Sequence, residues 1–328
     1  MTRPSACLAL AAALFVAACN EAPSPTAQST PTPGEAFARK AINTGGSAVA
    51  LLKQANLTLA ARGSKYRVDH AEWVTRDNAD EAGQIVFAFD RGNKQLAFQF
   101  VPNDPRRGEG TEITYLVDQS DGATHTGTPL TNAATEAAID REMHTWEATT
   151  TCSNFPIIKV PDSGADPDLI DGIVFNDPSL IGTPFADITH AGWTPADFFD
   201  ALAPGGSNFI LGVTFTFFFS DDGINPTDIN HDGKGDAAFR ETYYNDAFEW
   251  GIDTDNSTAI DVETVALHES GHGLSQAHFG KIFATLANLR LHFAPQAVMN
   301  AAISIQKHSL LGSDNAGHCS IWGNWPNK

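Results

Sequence analysis

Residues 261–278 read DVETVALHESGHGLSQAH, a stretch that combines a helix-start signal with three closely spaced histidines. Asp261 is a residue type that caps helix N-termini, and mostly apolar residues follow it up to the first histidine. We therefore predict a helix that begins after Asp261 and extends to His272. An α-helix has 3.6 residues per turn, so His268 and His272 lie one turn apart on the same face.

The first two histidines have the spacing that lets two imidazoles bind one zinc ion. Glu269 is rotated about 100° around the helix from His268, which keeps its carboxylate out of the coordination sphere but close to a water molecule on the metal. We predict Glu269 as the general base. Zinc needs a third protein ligand and an open fourth position, and no glutamate follows Glu269 in the chain to supply that ligand.

The third histidine lies six residues after His272 and would point away from the metal on a continued helix. Gly273 can end the helix, because glycine accepts positive φ at little cost, and the chain can then bring His278 back. We predict His268, His272 and His278 as the zinc ligands. The later histidines are predicted bystanders, with the first of them a minor alternative ligand: His292, His308 and His318.

The pattern His-Glu-x-x-His-x-x-Ser-x-x-His over residues 268–278 resembles the metzincin signature and, within that clan, the matrixin-like zinc peptidases. Metzincins have a second element, a tight turn with a methionine beneath the metal. Residues 297–300, Ala-Val-Met-Asn, resemble this Met-turn and place its methionine at Met299. The tail at residues 311–323 is similar to the C-terminal matrixin helix, so the resemblance extends over residues 108–325.

The resemblance implies an α+β fold, in which a metzincin-like catalytic domain combines a twisted, mostly parallel sheet with an active-site helix and the Met-turn. It also implies a zinc-dependent endopeptidase that hydrolyses peptide bonds in protein or peptide substrates. The segment Thr189-His190-Ala191-Gly192 looks like the edge strand with which an extended substrate pairs.

The chain departs from the matrixin pattern in three ways, one of which is that residues 186–249 match it only loosely. The family's glycine three residues after the second histidine is Ser275, and a non-glycine residue in a left-handed conformation costs about 1–2 kcal/mol. No cysteine lies in residues 20–151, so the matrixin cysteine switch, a propeptide thiol that caps the zinc, is absent. Ser275 could weaken the binding of the third ligand to the metal. A rival hypothesis is therefore a metzincin-fold lipoprotein that is catalytically weak or inactive and serves as a binding protein at the cell surface.

A second metal site is predicted at residues 228–236, where oxygen donors alternate around a glycine as in an EF-hand calcium loop. The predicted calcium ligands are Asp228, Asn230, Asp232, the Lys234 backbone carbonyl and Asp236. Phe239 stands at the twelfth position, where an EF-hand has a bidentate carboxylate. An Asp/Asn/Gly-rich turn between two strands is the alternative.

The N-terminus indicates export. Residues 1–18 combine Arg3 with a short apolar run and are predicted to be a lipoprotein signal peptide. Small residues directly before Cys19 resemble the bacterial lipobox, which implies a lipid anchor on Cys19 and an outer-membrane or cell-surface location. An ordinary signal with a chance cysteine is the alternative. Residues 19–36 are rich in Pro, Ser and Thr, as is typical of a tether.

Composition and cysteine content limit the partners and the compartment. The formal charge of −19 disfavours nucleic acid as a partner, because a strongly acidic surface repels polyanions. The hydrophobic content of 42% predicts a globular protein, for which we favour a monomer. Cys152 and Cys319 are the only thiols left in an exported, lipidated chain, so we predict a disulfide between them. Two separate buried thiols are the alternative.

The pattern upstream of the catalytic domain predicts a small α+β region at residues 37–107. It contains a helix at 47–62 and strands at 66–74, 84–89 and 95–101. The Gly92-Asn93 turn predicts that the last two strands form a hairpin, which makes the region a helix on a small antiparallel sheet. Its role is open: a propeptide, a binding module or packing. A second rival hypothesis makes this region the functional part of the protein.

Polar residues at 103–108 mark the boundary to the catalytic domain, residues 108–328. The elements predicted there before the metal-binding helix are a helix at 131–149 and strands at 112–117, 155–160, 172–175, 188–193 and 210–219.

Overall fold

The fold was obtained as a computed structural model that describes residues 33–124, 130–148, 152, 155–166, 168–256 and 258–327, with side chains described from Ser47 onward. The predicted signal peptide at 1–18, Cys19 and all but the last four residues of the predicted tether lie outside the described residues. Those last four residues are helical, so the tether ends earlier than predicted. None of the described helices has the length and apolar character needed to cross a membrane.

Six helices are present in the described part of the chain. In order they are α1 (Pro33–Ala61), α2 (Asn132–Glu147), α3 (Leu169–Val174), α4 (Ala196–Leu202), α5 (Val262–Gly273) and α6 (Gly312–Trp322). The strands are β1 (Tyr66–Arg76), β2 (Ile85–Phe87), β3 (Phe98–Gln99), β4 (Ile113–Val117), β5 (Ile157–Lys159), β6 (Ile188–Thr194), β7 (Ile210–Phe219), β8 (Gly235–Asn245), β9 (Trp250–Gly251), β10 (Ile260–Asp261), β11 (Lys281–Ala284), β12 (Leu291–Ala294) and β13 (Ala302–Ile303).

A nine-stranded sheet forms the centre of the molecule, with seven strands in the order β13-β1-β7-β8-β6-β4-β5. Strands β5, β4, β6 and β8 are parallel to one another, whereas β7 runs antiparallel to both β8 and β1. Strand β2 pairs with β1, and β3 pairs with β8. The fold is thus a largely parallel mixed sheet with few helices, in agreement with the predicted α+β class at this coarse level.

The two faces of the sheet carry separate hydrophobic cores. Side chains alternate between the faces of a strand, and in β7 the aromatic Phe215 and Phe217 enter the core that includes α1, α3 and α4. Leu211 enters the other core, which includes α2 and α5, because a shift in the pairing register between residues 210 and 212 interrupts the alternation there. Thr214 also belongs to the α5 face, and its hydroxyl contacts that helix. The alternation therefore presents polar groups of β7 to the helix that carries the histidines.

Two of the predicted elements are wrong. The Gly92-Asn93 turn does not form a hairpin, because β2 pairs antiparallel with β1 whereas β3 pairs parallel with β8. Residues 172–175, predicted as a strand, fall in and directly after helix α3. The backbone N–H groups of Leu169 and Ile170 donate to the buried Glu241 carboxylate of β8, which satisfies the free donors at the start of that helix. A short apolar run cannot reveal such a distant partner.

The predicted small antiparallel sheet of residues 37–107 does not exist as a separate unit. Strand β1 lies between β13 and β7 in the central sheet. The predicted boundary segment is tied to the same sheet, since Arg106 forms an ion pair with Asp236 at 2.8 Å and Arg107 with Asp187 at 2.6 Å. Residues on both sides of the predicted boundary therefore share one sheet.

The structure joins Cys152 and Cys319 in a disulfide, with a Cα–Cα distance of 5.4 Å, as predicted. The bridge closes a loop of 167 residues and connects the segment after α2 to helix α6.

We expect replacement of both bridged cysteines by serine to lower the free energy of unfolding by up to about 5 kcal/mol, because the unfolded chain gains the freedom that the bridge removes. Guanidinium unfolding of residues 20–328, with and without the two substitutions, measures this loss. Detection of two free thiols in the unsubstituted protein would contradict the bridge itself.

Candidate metal centre

Helix α5 positions the first two histidines, and its start is as predicted. The Asp261 carboxylate accepts a hydrogen bond from the Thr264 backbone N–H at 2.9 Å. His268 Nδ1 lies 2.7 Å from the Val298 carbonyl oxygen, and His272 Nδ1 lies 2.8 Å from the Gln276 carbonyl oxygen. Because a carbonyl oxygen can only accept, each Nδ1 carries the proton and each Nε2 keeps a free lone pair.

A sharp turn returns the third histidine to the helix. Helix α5 ends at Gly273, and the residue with positive φ is Ser275, at 67°. The predicted break is confirmed, but the left-handed position is Ser275 and not Gly273. The nitrogen atoms of His268, His272 and His278 that could bind a metal lie within 4.8 Å of one another. The three predicted ligands are therefore brought together.

Arg240 of β8 holds this turn and was not found by sequence analysis. Its guanidinium donates to the Gly273 carbonyl at 2.8 Å and to the Ser275 hydroxyl at 2.9 Å. A glycine at position 275 would lack the second contact. The serine that departs from the family pattern thus gains a buried charge-assisted hydrogen bond, which offsets part of the backbone strain.

The arrangement of the imidazoles fits a bound cation. The two Nε2 atoms of His268 and His272 lie 3.1 Å apart, and with both protons on Nδ1 neither can donate to the other. The Nε2 atom of His278 is buried without a hydrogen-bond partner among the described residues. Two nitrogens that carry no proton and a third without a hydrogen-bond partner suit zinc, which accepts three imidazoles and leaves a fourth position open.

The pKa values of two of the three rings also suit a metal. Burial, followed by the neighbouring imidazoles, lowers the pKa of His268 well below its usual value. Burial likewise lowers the pKa of His278 to about 3. Burial lowers the pKa of His272 as well, but the Glu72 carboxylate outweighs burial and raises it. Neutral imidazoles are the form that binds a metal ion.

Glu72 is a second site residue that sequence analysis missed. It comes from β1, and its Oε2 lies 3.3 Å from both His272 Nδ1 and His70 Nε2. A carboxylate beside the far nitrogen of a metal-binding histidine orients the ring and increases its basicity. The only hint in the sequence is that Asp69, His70 and Glu72 interrupt a run that otherwise reads as a buried strand.

Glu269 lies next to the histidines with one carboxylate oxygen free. Its Oε2 accepts a hydrogen bond from the Thr214 hydroxyl at 2.7 Å, and its Oε1 is buried without a partner among the described residues. Burial raises the pKa of Glu269 to about 7, although His272, the Thr214 hydroxyl and the Val74 backbone act against that rise. A carboxylate with this pKa can accept and return a proton near neutral pH.

Met299 lies directly beneath the metal-binding helix. A Cβ atom added to Gly271 would come within 2.2 Å of the Met299 sulfur, so the methionine packs where only glycine leaves room. The backbone N–H groups of Val298 and Met299 donate to the Asp314 carboxylate of α6, at 2.8 and 3.1 Å. Helix α6 thereby holds the turn that also supplies the Val298 carbonyl to the first histidine.

The predicted role of Thr189, His190, Ala191 and Gly192 as a substrate edge strand is wrong. These residues belong to β6, which pairs with β4 on one side and with β8 on the other and is buried along its length. Both of its edges are occupied, so an extended substrate cannot pair with it. The local pattern identified a strand but contained no information about its neighbours.

Strand β7 lies beside the metal centre, and β1 covers its outer edge. The two strands pair antiparallel from Tyr66↔Phe219 to Thr75↔Ile210. As a result His268, Glu269 and His272 have no exposed surface. A cavity of about 250 Å³ has His278 and Met299 among its lining residues, together with residues of α6.

The predicted calcium loop forms a hydrogen-bonded turn. The Asp228 carboxylate accepts the backbone N–H groups of Asp232 and Gly233, both at 3.0 Å. The Asp236 carboxylate is taken by Arg106 at 2.8 Å and by the Thr227 hydroxyl at 2.6 Å. Asn230 lies in the same turn, where its side chain donates to Asp232. Such contacts are typical of an Asp/Asn/Gly-rich turn between two strands, the alternative to a calcium loop. Calcium binding by residues 228–236 stays a prediction.

The three predicted bystander histidines lie outside the metal group. His292 stacks on Phe283 in the β11–β12 hairpin, and His308 contacts Asp261 at 2.7 Å. His318 is buried and stacks on Trp146.

Comparison with known proteins yields no family model that matches the chain and no curated protein with significant similarity.

Proposed function

We propose that the chain is a zinc-dependent endopeptidase with a metzincin-like, matrixin-type catalytic domain. One observation carries this proposal: one nitrogen from each of three imidazoles lies within 4.8 Å of the other two, and Glu269, whose Oε1 has no partner among the described residues, follows His268 on the same helix. The sharp turn at Ser275 and the position of Met299 beneath α5 support the same assignment.

The residues of the chain divide the work of peptide hydrolysis among them. His268, His272 and His278 would hold a zinc ion, which would supply a Lewis acid for the hydrolysis of peptide bonds near neutral pH. Glu269 accepts the proton of the attacking water at Oε1 and returns it to the leaving amine. The Thr214 hydroxyl holds the other carboxylate oxygen and so aims Oε1.

The burial of the centre suggests how activity is controlled. An extended peptide substrate would need the edge of β7 next to Glu269, which β1 occupies in an antiparallel pairing. The Val74 backbone also forms a hydrogen bond with Glu269. We infer that residues 37–107 act as an intramolecular cover, so that β1 must leave before a substrate can enter.

The complete burial of α5 also favours a second candidate function. A metzincin-fold lipoprotein that keeps the site permanently closed would bind partners at its surface and hydrolyse nothing. The two functions differ in what happens when β1 is removed, which is tested below.

The proposed location is outside the cytoplasm, at the outer membrane or cell surface, with a lipid on Cys19 as the membrane anchor. The Cys152–Cys319 bridge supports an oxidising compartment, since disulfides persist mainly in exported proteins.

We expect one tightly held zinc ion per chain, and we expect zinc content to fall to near zero in His278→Ala. The remaining two imidazoles leave the coordination incomplete, so a chelator in the dialysis buffer removes the metal. Plasma mass spectrometry of the dialysed protein measures the ratio. His292→Ala, a histidine outside the group, is the matched control and should keep full zinc. Wild-type zinc content in His278→Ala would reject the ligand set.

A further inference from the structure

Three carboxylates meet at the end of β4, on segments that the zinc centre does not use. Asp118 directly follows β4, whereas Asp166 and Asp168 lie just before helix α3. Oxygen atoms of all three lie within 4.8 Å of one another. Among the described residues, this is the only cluster besides the three histidines with an arrangement able to hold a metal ion.

The negative charge of the buried Asp168 carboxylate is not compensated by a hydrogen bond. Asp168 has no exposed surface, and neither of its carboxylate oxygens has a hydrogen-bond partner. Asp118 Oδ2 and Asp166 Oδ1 are also buried and accept no hydrogen bond from a described donor. The Asp166 carboxyl lies within hydrogen-bonding reach of both Asp168 and Asp118, an arrangement that needs a shared proton or a cation. A buried carboxylate without a partner is costly, so folded proteins pair such groups, protonate them or bind a cation with them.

Further acidic groups add to the negative potential. Burial, followed by repulsion from Glu241 and from Asp166, Asp118 and Asp121, raises the pKa of Asp168 well above its usual value. Burial and the neighbouring carboxylates also raise the pKa of Asp171 to about 7. No described Lys, Arg or His forms an ion pair with Asp168 that would lower this potential.

We propose that Asp118, Asp166 and Asp168 bind a calcium ion. All the donors are oxygens, which hard cations prefer. The donors come from two irregular segments, and calcium accepts six to eight oxygen ligands in variable geometry, whereas magnesium demands a near-ideal octahedron. The ion would tie the chain after β4 to the start of α3. The proposal is independent of the zinc centre and of the 228–236 loop.

Calcium titration of the zinc-loaded protein tests this site. In calcium-free buffer, adding calcium chloride should raise the melting temperature of the wild type, with a dissociation constant of about 10⁻⁴–10⁻³ M as in extracellular calcium modules. Asp168→Asn should weaken calcium binding at least about tenfold, because one ligand charge is lost. The double variant Asp228→Asn, Asp232→Asn is the control for the other predicted loop and should bind as the wild type does.

The melting temperatures of Asp168→Asn and the wild type, compared without and with calcium, distinguish a lost calcium site from a variant that is merely misfolded. Without calcium, Asp168→Asn should melt at a higher temperature than the wild type, because the amide removes the free-energy cost of burying the carboxylate or of protonating it. With saturating calcium the order should reverse. A wild-type melting temperature that calcium does not change overturns the proposal, as does equal calcium affinity in Asp168→Asn. Loss of binding in the Asp228, Asp232 double variant would move the site to the other loop and also overturn it.

Discussion

Glu269→Gln is expected to lower the rate of peptide hydrolysis by about 10²–10⁴-fold, the usual contribution of a general acid–base group, while the chain keeps its zinc. The amide preserves the size of the side chain and can still contact the Thr214 hydroxyl, but it cannot accept a proton at the position of Oε1. Zinc content and casein digestion are measured on the same preparation. The first shows whether zinc is retained, and the second shows how far hydrolysis falls.

Glu263→Gln is the matched control. Glu263 lies at the start of the same helix and is mostly buried, but it forms its ion pair with Arg141, away from the histidines. This variant should retain both zinc and activity. Hydrolysis by Glu269→Gln at the wild-type rate would reject the proposed mechanism, whereas loss of zinc in that variant would show that Glu269 acts on metal binding instead.

Cleavage of the chain after β1 is expected to increase hydrolysis by about 10- to 1,000-fold. A closed protein of this kind opens in only about 0.1–10% of molecules, and release of the covering strand makes the remainder available. A specific protease site inserted after the exposed Asn78 would separate α1 and β1 from the rest of the chain. Glu72 leaves with β1, and the Gln276 carbonyl continues to hold His272 Nδ1. Because the covering strand is then no longer covalently held near its site, dilution favours its departure.

A peptide with the sequence of residues 66–76, added back after cleavage, should inhibit hydrolysis again by pairing with β7. The same protease site inserted after the exposed Asp232 is the control, since cleavage there leaves β1 attached. Size-exclusion chromatography shows whether the fragment leaves, and circular dichroism shows whether the rest stays folded. A folded, zinc-loaded protein that has lost the fragment and still hydrolyses nothing would favour the surface-binding lipoprotein over the enzyme.

The local part of the metal centre was predictable because it depends on residues close together in the chain. The Asp261 cap, the four-residue spacing of His268 and His272, and the need for a break before His278 all follow from helix geometry. The structure confirms each of them. It also shows that Ser275 takes the left-handed position, which the sequence pattern assigned to Gly273.

The surroundings of the centre were not predictable, because they depend on which strands pair. The strand character of β6 was evident from its residues, yet its interior position follows from hydrogen bonds to β4 and β8. The same holds for β1, whose place beside β7 brings Glu72 to the metal centre from nearly 200 residues away in the chain. Pairing at such separations leaves no periodicity in the sequence.

By itself, then, the amino-acid sequence determined the helix with His268, Glu269 and His272, the break that follows it and the disulfide partners. The spacing of residues along a helix can be read from a single segment of the chain. The disulfide partners follow from counting the cysteines. Only the tertiary structure decided that β1 closes the edge of β7 and that Arg240 supports the turn at Ser275. It also decided that Asp118 meets Asp168. These are contacts between distant segments, and the free energy that selects them comes from burying the whole sheet.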